Sequence, residues 1–334
     1  RADEPSSGSA GLRTWLLGAL LLALVVIRTT RAVATDAALD HVSGTWLALA
    51  DDLLRGELYR PLAGTEGMGG TRFFPLVFSL LAGLRPLVGN PFTAGHALSV
   101  VSGGLLAGAA WMWMSRLGVA RPIRLLSLGI LLSTASAGQA LGAIRGDVLP
   151  AALGVFGAAL ALPRRRNDGT AHLSHGSTAA SALCLALAVC GKPTAVAWVV
   201  VAALGLALSG RRRAAALLAP AVGLASGALL VTVDILSDGR FSASLAAGAT
   251  GGARLIDWLK APSAFLGVLG DRDPLSLAFL APALIAAGLK TGPDRRSPAR
   301  IAVAVWLAAT LILFGSPGVD YNHLLDLQVA AVVL

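Results

Sequence analysis

With 334 residues, 55% of them hydrophobic and only 13% charged, and with a mean hydropathy of +0.73, the chain is too apolar for a soluble core of its size. Its formal charge of +9 is carried mainly by short arginine clusters between apolar runs. That is the positive-inside pattern of membrane loops, and it argues against nucleic acid as a partner. Cys184 and Cys190 lie in one apolar segment on different sides of a helix, so they read as packing residues and form neither a disulfide framework nor a metal pair.

The expected fold is therefore an all-α integral membrane protein, a single transmembrane domain over residues 1–334 with about ten spans. Juxtamembrane surface helices are expected in a first outer loop, 28–92, with a second outer loop at 237–273. The chain starts on Arg1 and stops at Leu334 inside an apolar run, and both ends are expected to be cut.

Leu12 to Ile27 reads as the first span, flanked by Arg13 below and by Arg28 and Arg31 above. The polar interval Asp36 to Pro75 follows. Within it Val42, Trp46, Leu49 and Leu53 recur at helical spacing, while Asp51, Asp52 and Arg55 fall off that stripe onto an expected wet face. Such a helix lies on a membrane surface. Gly56 and Pro61 close it, and the run Phe73 to Val88 is expected to be a second surface helix, interrupted by Arg85 and Pro86. If that run crossed the bilayer, the arginine triplets 164–166 and 211–213 would face outward; charge favours the interfacial reading.

The later spans then read as Thr93–Ser115 going in, Pro122–Leu141 coming out and Asp147–Pro163 going in. Ser177–Ser209, broken at Gly191, Lys192 and Pro193, reads as a hairpin whose turn faces the same side as Asp147. Ala214–Leu236 comes out, and Ile256, Trp258 and Leu259 mark a surface helix in the second outer loop. Leu275–Leu289 returns, Ile301–Gly315 comes out, and a turn at 317–323 leads into a broken span from Leu324. Gly104 and Gly108 read as a close helix contact.

Ionisable groups at the ends of membrane helices are costly unless solvated, paired or used, which singles out Asp36, Asp40, Arg145, Asp147, Lys192, Asp320, Tyr321 and His323 on the outer side. Asp40 reads either as a general base or as a helix N-cap. Asp147 reads as a functional acid, a cap or an ion pair, and Lys192 as a point charge for a phosphate or a snorkelling side chain. His323, beside Tyr321, suits a phosphate or simple solvation. No metal motif is present, and the sequence leaves a divalent cation at the acidic residues open.

The order of these features resembles the GT-C superfamily of membrane glycosyltransferases, in particular bacterial protein O-mannosyltransferases and the aminoarabinose transferase of lipid A. The resemblance rests on Asp40, then Ala50, Leu53, Gly56 and Tyr59, then Phe73-Phe74-Pro75-Leu76. It continues with Arg145-Gly146-Asp147, Gly191-Lys192-Pro193-Thr194 and Asp320-Tyr321-Asn322-His323. The match is one of layout: Asp40-His41 stands where an acidic pair is usual, and Leu76 replaces a second proline, so Asp36 competes with Asp40 as the base.

The resemblance implies a transferase that moves a sugar from a polyprenyl-phosphate donor to a lipid, glycan or protein acceptor at the outer face of the bacterial cytoplasmic membrane. It implies catalytic roles for Asp40, Asp36 and Asp147, and binding of the donor phosphate by Arg145, Lys192, Tyr321 and His323. A noncatalytic assembly protein and a transporter of lipid-linked sugar are the alternative readings; a transporter should show repeated halves and broken helices at mid-membrane.

Overall fold

A computed structural model describes residues 7–63, 71, 73–165, 171–172, 175–249, 254–289, 298–316, 319, 321–332 and 334. Among these the protein is helical, apart from a two-residue antiparallel ladder that pairs Arg164–Arg165 with Ala171–His172. The all-α expectation therefore holds.

The first helix, α1 (Ser7–Thr35), runs past Arg28 and Arg31, so the loop expected from residue 28 begins only at Asp36. Arg28 continues the helix because its charge finds partners inside the bundle: its guanidinium donates to the carbonyls of Leu132 at 2.6 Å and Ser133 at 3.1 Å. Next come α2 (His41–Leu54) and α3 (Pro75–Val88), in the two places where surface helices are expected. At 14 residues α3 is about 21 Å long, short of the roughly 30 Å of a hydrocarbon core.

On α2 the apolar stripe is buried through Trp46 and Leu49, but Asp52 is not on a wet face. It is 3% exposed and takes a bidentate grip from Arg60, Nε to Oδ2 at 2.7 Å and Nη2 to Oδ1 at 2.5 Å. The loop arginine supplies what the helical period alone cannot show. Tyr59, Phe74, Phe78 and Phe241 interlock beside this pair through edge-on and tilted ring contacts. Burial raises the pKa of the Tyr59 hydroxyl, which donates to the Phe73 carbonyl at 2.9 Å.

The bundle proper contains α4 (Pro91–Arg116), α5 (Arg121–Ser133), α6 (Ala135–Gly142), α7 (Val148–Ala161), α8 (His175–Gly191), α9 (Val196–Leu208) and α10 (Arg212–Leu236). Small residues fix its close contacts. Gly95 sits against Ile144 and Gly103 against Leu141, leaving no room for a β-carbon at either position. These two, and not Gly104, are the close approach on α4: a β-carbon at Gly104 would meet nothing within 4 Å.

Gly108 faces Phe156, and Arg116 donates to the Leu162 carbonyl at 2.7 Å, so α4 and α7 run in the same direction. Gly157 abuts Leu185 of α8, Gly191 abuts Pro150, and Gly154 abuts Trp198 of α9. Thus α8 climbs back along α7 and α9 descends beside it, which is the expected hairpin. The turns after Arg116, Leu162 and Leu208 consequently share one end of the bundle, the end bearing Arg116, Arg121 and Arg211–Arg213. Residues 143–147 and Lys192 lie at the other.

The expected single span Pro122–Leu141 is two helices, α5 and α6, bent by 72°. The carbonyls freed at the end of α5 take Arg28, and the amides freed at the start of α6 take a carboxylate. Asp273 accepts from the amides of Ala135 at 3.1 Å and Ser136 at 3.2 Å, and from Ser136 Oγ at 2.7 Å. A cation on a helix C-terminus and an anion on an N-terminus are the favourable pairings with the helix dipoles.

Asp273 lies between α12 (Leu255–Arg272) and α13 (Pro274–Leu289). α11 (Arg240–Ala249) and α12 make most of the described part of 237–273 helical; α12 contains the surface helix expected at Ile256, Trp258 and Leu259, and α11 stands where a loop is expected. α14 (Pro298–Phe314), a short 3-10 turn (Tyr321–Leu324) and α15 (Leu325–Ala331) complete the chain. Among the described residues three helices, Ala10–Thr35, Pro91–Arg116 and Arg212–Leu236, are long and apolar enough to cross a membrane, or four with the bent pair counted as one span.

Candidate functional site

The site is built on the five residues between α6 and α7. Ala143 offers its carbonyl to Ser99 Oγ of α4 at 2.8 Å, and the Ile144 amide donates to Ser43 Oγ of α2 at 3.3 Å. Arg145 pairs with Asp40, Gly146 lies under the Trp46 ring, and Asp147 receives Lys192. A short connection between two helices is thereby held by α2, α4 and the α8–α9 turn together.

Asp40 is the N-cap of α2. Its Oδ1 accepts from the amides of Val42 at 3.1 Å and Ser43 at 3.0 Å and from Ser43 Oγ at 3.2 Å; its Oδ2 faces Arg145 and Gln139 Nε2. Burial pushes its pKa up, but the Ser43 amide and the Arg145 guanidinium outweigh this and hold the carboxyl below its ordinary range. The cap expected from sequence is therefore present, and both oxygens are engaged.

Asp147 stands just before α7, with Lys192 Nζ on Oδ1 at 2.8 Å and Asn322 Nδ2 on Oδ2 at 3.3 Å. Burial works against its charge, yet Lys192, His323 and Asn322 together hold its pKa at about 2. Burial likewise opposes the charge of Lys192, and Asp147 with Asp326 more than offsets it, so its pKa is raised. At neutral pH this is an ionised pair, with side chains only 12% and 15% exposed.

Asp36 follows α1 in the left-handed region, φ 51°, which a short polar side chain tolerates better than most. Its Oδ1 lies 2.9 Å from His96 Nε2, and its side chain is 56% exposed. Of the described acids singled out in the sequence, Asp36, Asp40 and Asp147, it is the most accessible, and Oδ2 has no hydrogen-bond partner among the described residues.

Compared with family models, curated proteins and solved structures, the chain matches none of them. The site is therefore read from its own geometry.

The structure brings Asp147, Lys192 and His323 together, and Asp40 with Arg145, through the single turn 143–147. Tyr321 and His323 sit on the 3-10 turn that packs against α6. Asp320 lies outside the described residues. Sequence reasoning missed His96, Asp326 and the role of Asn322. Asp326 is 3% exposed, accepts from Trp198 Nε1 at 2.8 Å and lies near Lys192; a lone acid in the apolar run Leu324–Leu334 was the available signal. Among the described residues no group of three or more His, Cys, Asp or Glu side chains converges as a metal site.

Proposed function

We propose that the chain is a polytopic glycosyltransferase of the bacterial cytoplasmic membrane, taking its sugar from a polyprenyl-phosphate donor at the outer end of the bundle. In this reading the apolar helices make about ten spans, several of them short, so the turn 143–147 is recessed below the bilayer surface. The basic turns at the opposite end face the cytoplasm. The large exposed side chains of α1 and α10, such as Leu16 at 62%, Leu224 at 76% and Ile235 at 71%, face lipid.

The observation that carries the proposal is the meeting of two partly buried ion pairs, Asp40–Arg145 and Asp147–Lys192, on one turn at the end of the bundle away from the arginines. Charges kept at such depth are functional by default. The acceptor oxygen attacks the anomeric carbon, and its proton passes to Asp36 Oδ2. The bond from that carbon to the phosphate oxygen breaks, and its electron pair leaves on the polyprenyl phosphate. Lys192, with Arg145 and His323, supplies positive charge toward the departing phosphate. Asp36 is favoured over Asp40 as base because Asp40 already spends one oxygen on the α2 cap and the other on Arg145.

The test is turnover of a panel of polyprenyl-phosphate sugars by the purified full-length protein in lipid nanodiscs. Asp36→Asn should lose on the order of a hundredfold or more in rate, while Lys192→Ala should weaken donor use. Full activity in Asp36→Asn would sink the assignment of the base.

One observation favours a second reading. The 72° break between α5 and α6, with its ends held by Arg28 and Asp273, is the kind of discontinuous helix on which transporters build. Movement of a lipid-linked sugar across a vesicle membrane without transfer would support that reading against the enzyme.

A further inference from the structure

We propose that His96 is the positioning residue of this site, its Nε2–H holding Oδ1 of Asp36 so that Oδ2 faces the acceptor. The inference rests on the reading of Asp36 as the base.

The unequal burial of the two members carries the argument. In an acid–imidazole couple the exposed member meets the ligand and the buried one orients it. Here His96 is 4% exposed, whereas the Asp36 side chain is 56% exposed. His96 sits on α4 beside Gly95, whose contact with Ile144 seats the helix against the turn that carries Arg145 and Asp147. One turn further on, Ser99 hydrogen-bonds the Ala143 carbonyl. The imidazole is thus fixed to the same scaffold as the two ion pairs, while Asp36 stands on a left-handed residue at the end of α1 with no other side-chain partner among the described residues.

His96 Nδ1 is buried and has no hydrogen-bond partner among the described residues. A proton there would be an unsatisfied donor, whereas the tautomer protonated on Nε2 leaves only an unpaired lone pair and donates to the carboxylate. A histidine serving only as packing would not need its one donor aimed at the most exposed acid of the site.

The experiment combines kinetics with a readout that does not require turnover. In the full-length protein, His96→Leu should lower kcat about tenfold or more with KM little changed, and His96→Gln, which keeps a donor, should recover most of it. In the Asp36→Asn background His96→Leu should cost nothing further. An equal loss in both backgrounds would reduce His96 to a structural residue and overturn the proposal. Histidine-selective 15N spectra should show one ring protonated on Nε2 alone, its signal moved by Asp36→Asn. A proton on Nδ1 would overturn the pairing whether or not a donor has been found. A confirmed spectrum with no turnover on any donor would instead remove the reaction, and the positioning role with it.

Discussion

The six-membered ring of Trp46 lies directly on the backbone of Gly146: a β-carbon built on that glycine would fall about 2.0 Å from Trp46 Cζ2. The indole is itself stacked on Phe73, with ring centroids 4.3 Å apart and planes 16° apart, so it cannot simply swing away. Gly146 separates Arg145 from Asp147, and the α2 aromatic therefore clamps the point where the two ion pairs diverge. Gly146→Ala should destabilise the protein by about 1–3 kcal/mol through overpacking and should also lower activity. Gly44→Ala, on the same α2 but with nothing within 4 Å of its would-be β-carbon, is the matched control and should be neutral or slightly stabilising. Thermal melting in detergent, paired with the transfer assay, reads both.

The Asp147–Lys192 pair predicts a pH dependence with a definite sign. Asp147 titrates at about 2 in the folded protein against an ordinary value of 3.8. Its contribution is therefore fully present above 3.8 and is lost as the pH falls toward 2. Lys192 is shifted upward from 10.5, so its share is present below that value and is lost only as the pH rises through the still higher folded value. Stability from this pair should be flat between the two limits, with an acid limb of about 2 kcal/mol that Asp147→Asn removes. At neutral pH Lys192→Met should cost about 3–5 kcal/mol by stranding a buried carboxylate, and the double variant Asp147→Asn/Lys192→Met should recover much of that loss. Melting curves from pH 2 to 8 check the first statement. The double-mutant cycle checks the second.

Features written locally were legible in the sequence. Asp40 before the stripe of Val42, Trp46 and Leu49 announces a capped amphipathic helix, and Gly191-Lys192-Pro193 announces a turn, whose polarity then sets Lys192 beside Asp147. What depends on partners far along the chain was not legible. Asp52 reads as solvent-facing until Arg60 is seen to grip it, and nothing in the helical period of α4 marks His96 as the partner of a residue 60 positions earlier. The break at Thr134 is hard to see because Ser127 to Leu141 carries no charge and no proline to mark it. The groups that make it tolerable, Arg28 and Asp273, lie more than a hundred residues away on either side.

That break makes its own prediction. Asp273 is 1% exposed; besides the start of α6 it accepts from the Ser276 amide at 3.4 Å at the start of its own helix α13, and from Gln328 Nε2 at 3.0 Å. One carboxylate thus serves two helix N-termini and a buried amide. Asp273→Ala should cost more than the roughly 1 kcal/mol of an ordinary cap, about 3 kcal/mol or more, because the Ala135 and Ser136 amides and Ser136 Oγ lose their acceptor together and Gln328 keeps only the Ser136 and Ser276 hydroxyls. Gly138→Ala should act on the other side of the break: its β-carbon would meet the Arg28 guanidinium at about 2.6 Å and push it off the α5 carbonyls. Hydrogen exchange of the α6 amides should rise in both variants and stay unchanged in Gly104→Ala.

The proposed placement of the site at the outer end can be tested without any substrate. Glu57 is exposed beyond α2 near the site end, whereas Ala120 and Ser209 are exposed in the two turns that flank Leu162 at the arginine-bearing end. The native thiols Cys184 and Cys190 are free, and Cys190 packs near the Ser226 carbonyl, with its Sγ 3.9 Å from that oxygen. Replacing both by alanine gives a background in which single cysteines can be introduced. In intact cells Glu57→Cys should be labelled by a membrane-impermeant maleimide, while Ala120→Cys and Ser209→Cys should react only after the membrane is opened. The forecast follows from the arginines: carrying Arg116, Arg121 and Arg211–Arg213 outward would oppose the charge bias that orients spans during insertion. Labelling of Ala120→Cys and Ser209→Cys from outside, with Glu57→Cys protected, would invert the bundle and put the Asp147–Lys192 end in the cytoplasm. Labelling of Glu57→Cys and Ser209→Cys from one side, with Ala120→Cys protected, would put the two turns that flank Leu162 on opposite faces and refute the parallel course of α4, α7 and α9.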